Sequence, residues 1–363
     1  MRNMLRIRHT LALATGLLAA AQIAMAAPQV GQLETVAELP MRPGNVSATA
    51  TGRVFATVHP LDKPSGLQLV EITGRKSFRP WPSAELQSDA STRGDARLDA
   101  PLGITQDAKG RLWVIDMGLN IGKTRLWAFD IASGKEVKRI TLPATAAPKG
   151  SFVQDLVVDS EAGWVYLADI NNPALLAVRI EDGHVRRFEG HASLQAEKDA
   201  PLHADGKPTQ FGGAPASVGV NPLTLSADGK TLYFGAMNGT RWYAVPAQLL
   251  REGADDQVAA AIVEAGRKPV SDGATIDRAG NHFFTNLNEN GIDVLDTQGK
   301  LRPLVRNRLL DWPDGIQFGA SSWLYISVNQ LYKTPAFTGG EDGGKPPYRI
   351  MRVWTGTPGA IWH

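Results

Sequence analysis

Five polar residues occupy one recurring position in this 363-residue sequence, each beside a short apolar segment. They are Asn45, Asp155, Asn221, Asp272 and Asp314. Carboxylate and amide oxygens are the hard ligands that Ca²⁺ and similar divalent ions prefer. Without a cation, carboxylates that lie close together raise one another's pKa and can act as an acid/base pair. A third interpretation is turn chemistry, in which each side chain only bonds nearby backbone groups.

A repeat of short strands must position these residues. Its clearest copies are aromatic and β-branched segments, which favour strands; they span residues 111–116, 163–169, 230–235, 281–286 and 322–327, with a weaker copy at 52–57. A strand that ends in an Asp/Gly turn precedes most copies, a third strand follows, and a fourth often comes next. Each unit is therefore predicted to be a four-stranded antiparallel meander.

Six such units follow one another along the chain. Their anchor residues are separated by 56, 54, 66, 51 and 42 residues: Asn45, Pro101, Asp155, Asn221, Asp272 and Asp314. One unit cannot bury its faces alone, whereas units packed in a ring can. The sequence therefore predicts an all-β fold, a six-bladed β-propeller of four-stranded antiparallel blades, with a pair of β-sandwiches or a β-solenoid as alternatives. Residues 189–215 and 333–347 are predicted to be long loops on its faces.

In a propeller, the residues that precede each innermost strand converge at one mouth of the central channel. The five polar residues are therefore expected to form one ring there. Blade 2 breaks the pattern with Pro101-Leu102-Gly103.

The composition and the N-terminal segment set further limits. Hydrophobic residues make up 43% of the chain and charged residues 20%, which is enough apolar surface for a large core. Residues 1–26 carry Arg2, Arg6 and Arg8, a short apolar run and Ala24-Met25-Ala26, the pattern of a secretory signal peptide cleaved near Ala26. This predicts a leader at 1–26, a single propeller domain over 27–363, and a periplasmic or secreted location.

Charge and residue types exclude several functions. The chain has 38 basic and 36 acidic residues, and removal of the three leader arginines leaves 35 against 36. No basic field remains for nucleic acid or an anionic membrane. The chain has no cysteine, which excludes disulfides and thiolate chemistry. We expect a small-molecule ligand, no nucleic-acid partner, no membrane association after leader removal, and a monomer.

The nine tryptophans fall into two groups. One group recurs at a single repeat position and is predicted to pack in the core: Trp113, Trp164 and Trp323. Trp81, Trp242 and Trp312 are better candidates for a mouth or pocket. The predicted ligand-binding residues are Asn45, Asp155, Asn221, Trp242 and Trp312.

The order of these segments resembles the major royal jelly protein/yellow family. The resemblance covers roughly residues 32–354 and is carried by APLGI (100–104), GRLWVIDMG (110–118), LAD (167–169), LLAV (175–178), LYFG (232–235), WYAVP (242–246), SDG (271–273) and WPDG (312–315). It implies a secreted six-bladed propeller with a ligand site at one end of its channel. Members include dopachrome-converting enzymes and amine-binding proteins, so it also implies a small aromatic or amine-like ligand.

The chain is more distantly similar to the gluconolactonase/senescence-marker propellers. Those proteins hold a divalent metal with a Glu, two Asn and an Asp. Asn221 and Asp272 match two of these positions, whereas Asn45 replaces the Glu and Asp155 replaces an Asn. The resemblance implies metal ligation by Asp155, Asn221 and Asp272, although the missing Glu puts lactonase chemistry in doubt.

Four functions remain open. The first is a binding protein that captures an aromatic or cationic molecule at the channel mouth. The second is a tautomerase, in which Asp272 or Asp314 moves a proton on a dopachrome-like substrate and a second polar group holds the enolate. The third is a lactonase that uses Ca²⁺ or another divalent ion, and the fourth is a protein-interaction scaffold. The family resemblance favours the first two.

Overall fold

The computed structural model describes residues 27–62 and 66–360. The predicted leader, residues 1–26, lies outside them, so its cleavage and export stay predictions. Three short α-helices accompany a chain built mainly from strands: Ala247–Glu252, Asp255–Ala261 and Pro335–Thr338. Among the described residues, no helix has the length and apolar character needed to cross a membrane.

Six four-stranded antiparallel sheets follow one another along the chain, and we call them blades 1 to 6. From the innermost to the outermost strand, blade 1 contains Pro43–Ala48, Val54–Val58, Leu69–Gly74 and Ser77–Pro80; blade 2 contains Pro101–Gln106, Arg111–Asp116, Arg125–Asp130 and Glu136–Thr141; and blade 3 contains Val153–Asp159, Trp164–Asp169, Ala174–Arg179 and Val185–Glu189.

The second half of the ring repeats this order. Blade 4 contains Val220–Leu225, Thr231–Ala236, Arg241–Pro246 and Val263–Arg267; blade 5 contains Ala274–Ile276, His282–Asn286, Gly291–Leu295 and Leu301–Arg306; and blade 6 contains Pro313–Phe318, Trp323–Val328, Tyr348–Trp354 and Leu33–Leu39.

The six blades form a closed ring around a channel. The innermost strand of each blade contacts that of the next, and the innermost strand of blade 6 contacts that of blade 1. Inner strands such as Trp164–Asp169 are wholly buried, whereas outer strands such as Leu301–Arg306 are largely exposed. Burial of the apolar strand faces between neighbouring blades drives this arrangement. The predicted six-bladed β-propeller is confirmed.

The outermost strand of blade 6 comes from the opposite end of the chain. Leu33–Leu39 pairs antiparallel with Tyr348–Trp354. Ala37 and Leu39 are buried in one apolar cluster with Ile350. The repeat pattern did not reveal this strand, because its partner lies at the other end of the sequence.

The connection between blades 3 and 4, predicted as a loop, contains two short hairpins. They are His203–Ala204 with Lys207–Pro208, and Gln210–Phe211 with Ala214–Pro215. We call residues 203–215 the cover segment, because it reaches across to blade 6. There the Gly212 N–H donates to the Ala336 carbonyl at 3.0 Å, and the Tyr332 hydroxyl donates to Asp205 at 2.7 Å.

Ring closure by the N-terminal strand yields a stability prediction. Ala37→Asp places a carboxylate in the buried face of that strand, where it has no counter-charge. We expect this change to lower the free energy of unfolding by more than about 3 kcal/mol, as measured by urea denaturation. Glu38→Gln on the same strand is the control; its partners Arg75 and Lys76 are exposed, so it should change stability by no more than about 0.5 kcal/mol. Equal effects of both variants would contradict the role of this strand.

Candidate functional site at the channel mouth

Most innermost strands begin with a β-bulge. In five blades the pairing with the second strand shifts register near the strand start: between Pro43 and Val46, Pro101 and Ile104, Val153 and Asp155, Val220 and Leu223, and Pro313 and Ile316. In blade 5, Asp272 and Gly273 come just before the paired residues. A bulge re-aims the side chains at its position, so two successive residues of a blade can face the channel at different depths.

Buried hydroxyls hold the start of the innermost strand in blades 1, 5 and 6. Each lies on the second strand of its blade and accepts a hydrogen bond from a backbone N–H at that start: Thr57 from Asn45 (2.9 Å), Thr285 from Asp272 (3.0 Å) and Ser327 from Gly315 (2.9 Å). In these three blades the start of the innermost strand is thus fixed by a Thr or Ser at one position of the second strand.

The five predicted polar residues lie in two layers rather than one ring. We call Gln154, Asn221, Asp272 and Asp314 the mouth layer, because strand pairing places them at one level of the channel. Asn45 and Asp155 lie one residue deeper, at the level of Gly273 and Gly315. The single ring expected from the sequence is therefore corrected to two layers, and Gln154 is a mouth residue that the sequence analysis missed.

Hydrogen bonds join three members of the mouth layer. Asn221 Nδ2 donates to Asp272 Oδ1 at 2.6 Å, and Asn221 Oδ1 accepts from the Gln154 amide. The second oxygen of Asp272 accepts from Trp312 Nε1 at 2.9 Å. Both carboxylate oxygens are thereby held in a fixed orientation.

Asp314 is held by a separate set of contacts. Asn329 Nδ2 donates to Asp314 Oδ2 at 2.7 Å, and the Asn329 carbonyl accepts from Arg42 Nε at 3.0 Å. The buried Arg42 guanidinium also pairs with Asp62 at 2.5 Å and Asp342 at 2.6 Å. Arg42 and Asn329 carried no signal in the repeat analysis, because each occurs in one blade only.

The two tryptophans predicted to bind the ligand have other roles. Trp312 is buried, has a left-handed backbone with φ of 65°, and stacks on Tyr332 at a ring distance of 6.0 Å. Its indole N–H bonds Asp272, so Trp312 positions that carboxylate without lining the pocket. Trp242 is wholly buried against Phe284 at a ring distance of 5.0 Å and does not reach the site. The prediction that Trp242 lies in a pocket is therefore corrected. The residue lies in the core, where its neighbours are apolar and aromatic.

A pocket of about 110 Å³ opens at the mouth layer. Polar groups on its surface include Gln154, Asp272, Asp314 and His59. Its apolar walls come from loops and from the cover segment, and they include Phe152, Ile170, Phe211, Val218, Met237, Leu331 and Phe337. Phe211 of the cover segment meets Phe337 of blade 6 at a ring distance of 5.0 Å. The pocket thus combines apolar walls with buried acids.

Burial changes the protonation of the acids. Loss of hydration raises the pKa of Asp155 to about 7 and that of Asp272 to about 6, the latter moderated by hydrogen bonds from Trp312 and Asn221. Burial, followed by the charge of Asp272, raises the pKa of Asp314 well above its ordinary value. Each carboxyl is therefore harder to ionise than an exposed one.

Positive charge is scarce around these acids. Burial, followed by the charge of Arg42, lowers the pKa of His59 to about 3, so this histidine is neutral near pH 7. His59 Nε2 lies 4.0 Å from Asp314 Oδ2. Among the described residues, neither Asp272 nor Asp314 forms an ion pair with Lys or Arg.

The residues predicted to ligate a metal are divided between the two layers. The Asn221 amide bonds Gln154 and Asp272, and Asp155 lies in the deeper layer. Across the described part of the chain, no group of three or more His, Cys, Asp or Glu could hold a metal ion. Divalent-ion ligation by Asp155, Asn221 and Asp272, a set that includes an amide, stays a prediction.

The ring of six four-stranded blades defines a class of protein, the six-bladed β-propellers. Residues 101–325 match the major royal jelly protein family, and the chain belongs to that family. Protein yellow from Drosophila subobscura is 28% identical over 200 residues, which cover 50% of this chain and 34% of that protein. The chain thus aligns with about a third of the length of this curated relative.

Solved structures show the same fold at lower identity. Virginiamycin B lyase from Staphylococcus aureus has a TM-score of 0.53 and 15% identity, and the match covers 89% of this chain and 98% of the lyase. A gluconolactonase from Xanthomonas campestris has a TM-score of 0.51 and 15% identity, with 89% of both chains covered. These similarities concern the propeller alone.

The raised pKa of Asp272 predicts how stability changes with pH. A carboxyl whose pKa is higher in the folded chain binds more protons than the unfolded chain does, so its contribution to stability falls as pH rises from about 4 through the folded pKa. Asp272→Asn removes this contribution. We expect the stability of this variant relative to wild type to rise by up to about 3 kcal/mol between pH 4 and pH 8, as measured by urea denaturation.

The comparison of variant with wild type cancels an opposite effect from buried histidines. The lowered pKa values of His59 and His282 make folding more favourable as pH rises. Asp256→Asn, on an exposed helix, is the matched control. A constant difference between Asp272→Asn and wild type over this pH range would refute the buried, raised-pKa carboxyl.

Proposed function

We propose that this protein binds a small aromatic molecule that carries an amine or another cationic group, with the ligand seated at the channel mouth. The observation that carries the proposal is the pocket itself, in which Asp272 and Asp314 meet apolar walls without a Lys or Arg partner among the described residues. The family relationship supports the same class of ligand.

The charge requirement follows from the energetics of buried acids. An ionised carboxylate that loses water is stabilised only by hydrogen bonds and a nearby cation. Asp272 has two neutral donors, and Asp314 has the Asn329 amide. An ammonium group between these acids would add the missing positive charge and would make charge-assisted hydrogen bonds.

The apolar walls of the pocket favour a ligand whose other part is flat and apolar. Phe152, Phe211 and Phe337 line the pocket together with aliphatic side chains. Aromatic rings pack edge to face or offset against one another, which adds to the gain from burial. A ring with a short amine-bearing chain could therefore place its ring between the walls and its charge against the acids.

Two matched probes test the charge requirement. Tyramine and 4-ethylphenol share a phenol ring on a two-carbon chain, but only tyramine carries an ammonium group. We expect tyramine to bind at least about tenfold more tightly in isothermal titration calorimetry at pH 8, because the ammonium bonds a buried acid. Its affinity should rise from pH 5 to pH 8, since the raised pKa values of Asp272 and Asp314 delay their ionisation.

Asp314→Asn should remove most of this preference while leaving the binding of 4-ethylphenol nearly unchanged. Asp228→Asn, at an exposed hairpin turn, is the control and should bind both probes as wild type does. Equal affinity of wild type for the two probes, or failure to bind tyramine between pH 6 and pH 9, would overturn the proposal.

A second candidate, a proton-transfer enzyme of the tautomerase type, is favoured by the pairing of His59 with Asp314. The Leu61 N–H donates to His59 Nδ1 at 3.1 Å, which assigns the proton of the neutral ring to Nε2. Nε2 faces Asp314 at 4.0 Å, and both residues line the pocket. Ionised Asp314 would take a proton from carbon, and the His59 N–H would hold the resulting enolate oxygen.

Dopachrome turnover tests this candidate. We expect wild type to accelerate the loss of dopachrome absorbance, and Asp314→Asn and His59→Gln each to lower kcat by about 10²- to 10⁴-fold. Asp228→Asn should leave kcat unchanged. Absence of turnover by wild type, with tyramine still bound, would reject the enzyme and leave the binding function in place.

A further inference from the structure

A second, smaller cavity lies deeper in the channel. Its volume is about 20 Å³, room for one particle the size of a water molecule. Each of the six blades contributes one oxygen-bearing side chain to its lining: Asn45, Thr105, Asp155, Thr224, Thr275 and Gln317. We call these residues the inner oxygen ring.

Three atoms of the inner oxygen ring lack a partner among the described residues. They are Thr105 Oγ1, Thr275 Oγ1 and Gln317 Oε1, and the two threonines expose only 1% of their surface. The Gln317 amide nitrogen donates to the Ile104 carbonyl at 2.6 Å, which leaves its oxygen free to accept. Buried polar atoms without partners are costly, so these atoms indicate an occupant of the cavity.

The charge of the lining limits the identity of that occupant. Among the residues that the structure describes, Asp155 is the only charged one that lines the cavity. Its oxygens accept from the backbone N–H groups of Leu156 at 2.8 Å and Leu223 at 3.4 Å. Divalent ions in proteins are usually held by several carboxylates. One carboxylate surrounded by neutral hydroxyl and amide oxygens instead matches a single positive charge.

We propose that the inner oxygen ring binds one dehydrated alkali cation, Na⁺ or K⁺, on the axis of the propeller. The ion satisfies the unpartnered oxygens and gives Asp155 a counter-charge. Because its ligands come from all six blades, it also ties the innermost strands together. The site is separate from the pocket at the mouth layer and does not depend on the pocket's ligand.

Thermal unfolding of the full protein in different salts tests the site. After dialysis into tetramethylammonium chloride at pH 8, addition of NaCl or KCl at constant ionic strength should raise Tm by at least about 2 °C, and the rise should saturate. The salt that acts at the lower concentration identifies the preferred ion. Asp155→Asn and the isosteric Thr105→Val should abolish the rise.

Ser47→Ala is the matched control. Ser47 occupies the register position of Thr105 in blade 1 and is likewise buried and unpartnered, but it does not line the cavity. This variant should keep the full rise in Tm. A crystal of wild type soaked in RbCl should show an anomalous peak within the inner oxygen ring. Identical Tm values in all salts, or a crystal with only water there, would overturn the proposal.

Discussion

The pairing of Leu33–Leu39 with Tyr348–Trp354 is the constraint on which the site depends, since it completes the last blade and closes the ring. In the closed ring, neighbouring innermost strands pack closely against one another at the channel mouth. A Cβ on Gly103 would lie 2.1 Å from the Gln154 carbonyl oxygen, and one on Gly273 would lie 2.3 Å from that of Asp314. Only glycine fits such an approach. The acids of separate blades are neighbours because no side chain keeps these strands apart.

The proximity of these buried acids is electrostatically unfavourable. Hydrogen bonds within the protein offset only part of that free-energy cost. Amide and indole donors bond Asp272 and Asp314, and backbone N–H groups bond Asp155. No Lys or Arg pairs with these three acids within the described residues. Neutral donors stabilise a buried carboxylate less than a cation does. The ammonium ligand proposed at the mouth and the alkali cation proposed in the inner oxygen ring would each add positive charge beside these acids.

The repeat in the sequence predicts most of the fold and part of the site. Aromatic strands such as Trp164–Asp169 and regular Asp/Gly turns predicted six meanders, because blade packing requires apolar faces at a fixed spacing. The same comparison aligned Asn45 with Asp272, although strand pairing shows them one residue apart in depth. A bulge shifts register without changing composition. The repeat pattern therefore predicts a ring of polar residues but not its division into layers.

Residues outside the repeat were missed for a different reason. His59, Arg42 and Asn329 each act in a single blade, so no second copy marked them. Trp242 was misplaced because an aromatic residue in a strand can face either a cavity or a neighbouring blade, and strand periodicity alone does not distinguish the two. The buried contact of Trp242 with Phe284 is set by blade packing.

The pocket has two origins, and they bear differently on its proposed ligand. Its acids and Gln154 belong to the repeating strands, and all of them lie within residues 101–325, the part that matches the family. His59 precedes that part, and Leu331 and Phe337 follow it. A propeller can keep its acidic mouth while the surrounding loops change, because the loops are not needed to close the ring. The family relationship therefore bears on the charge of the proposed ligand, whereas the shape of the pocket depends on this protein's own loops and cover segment.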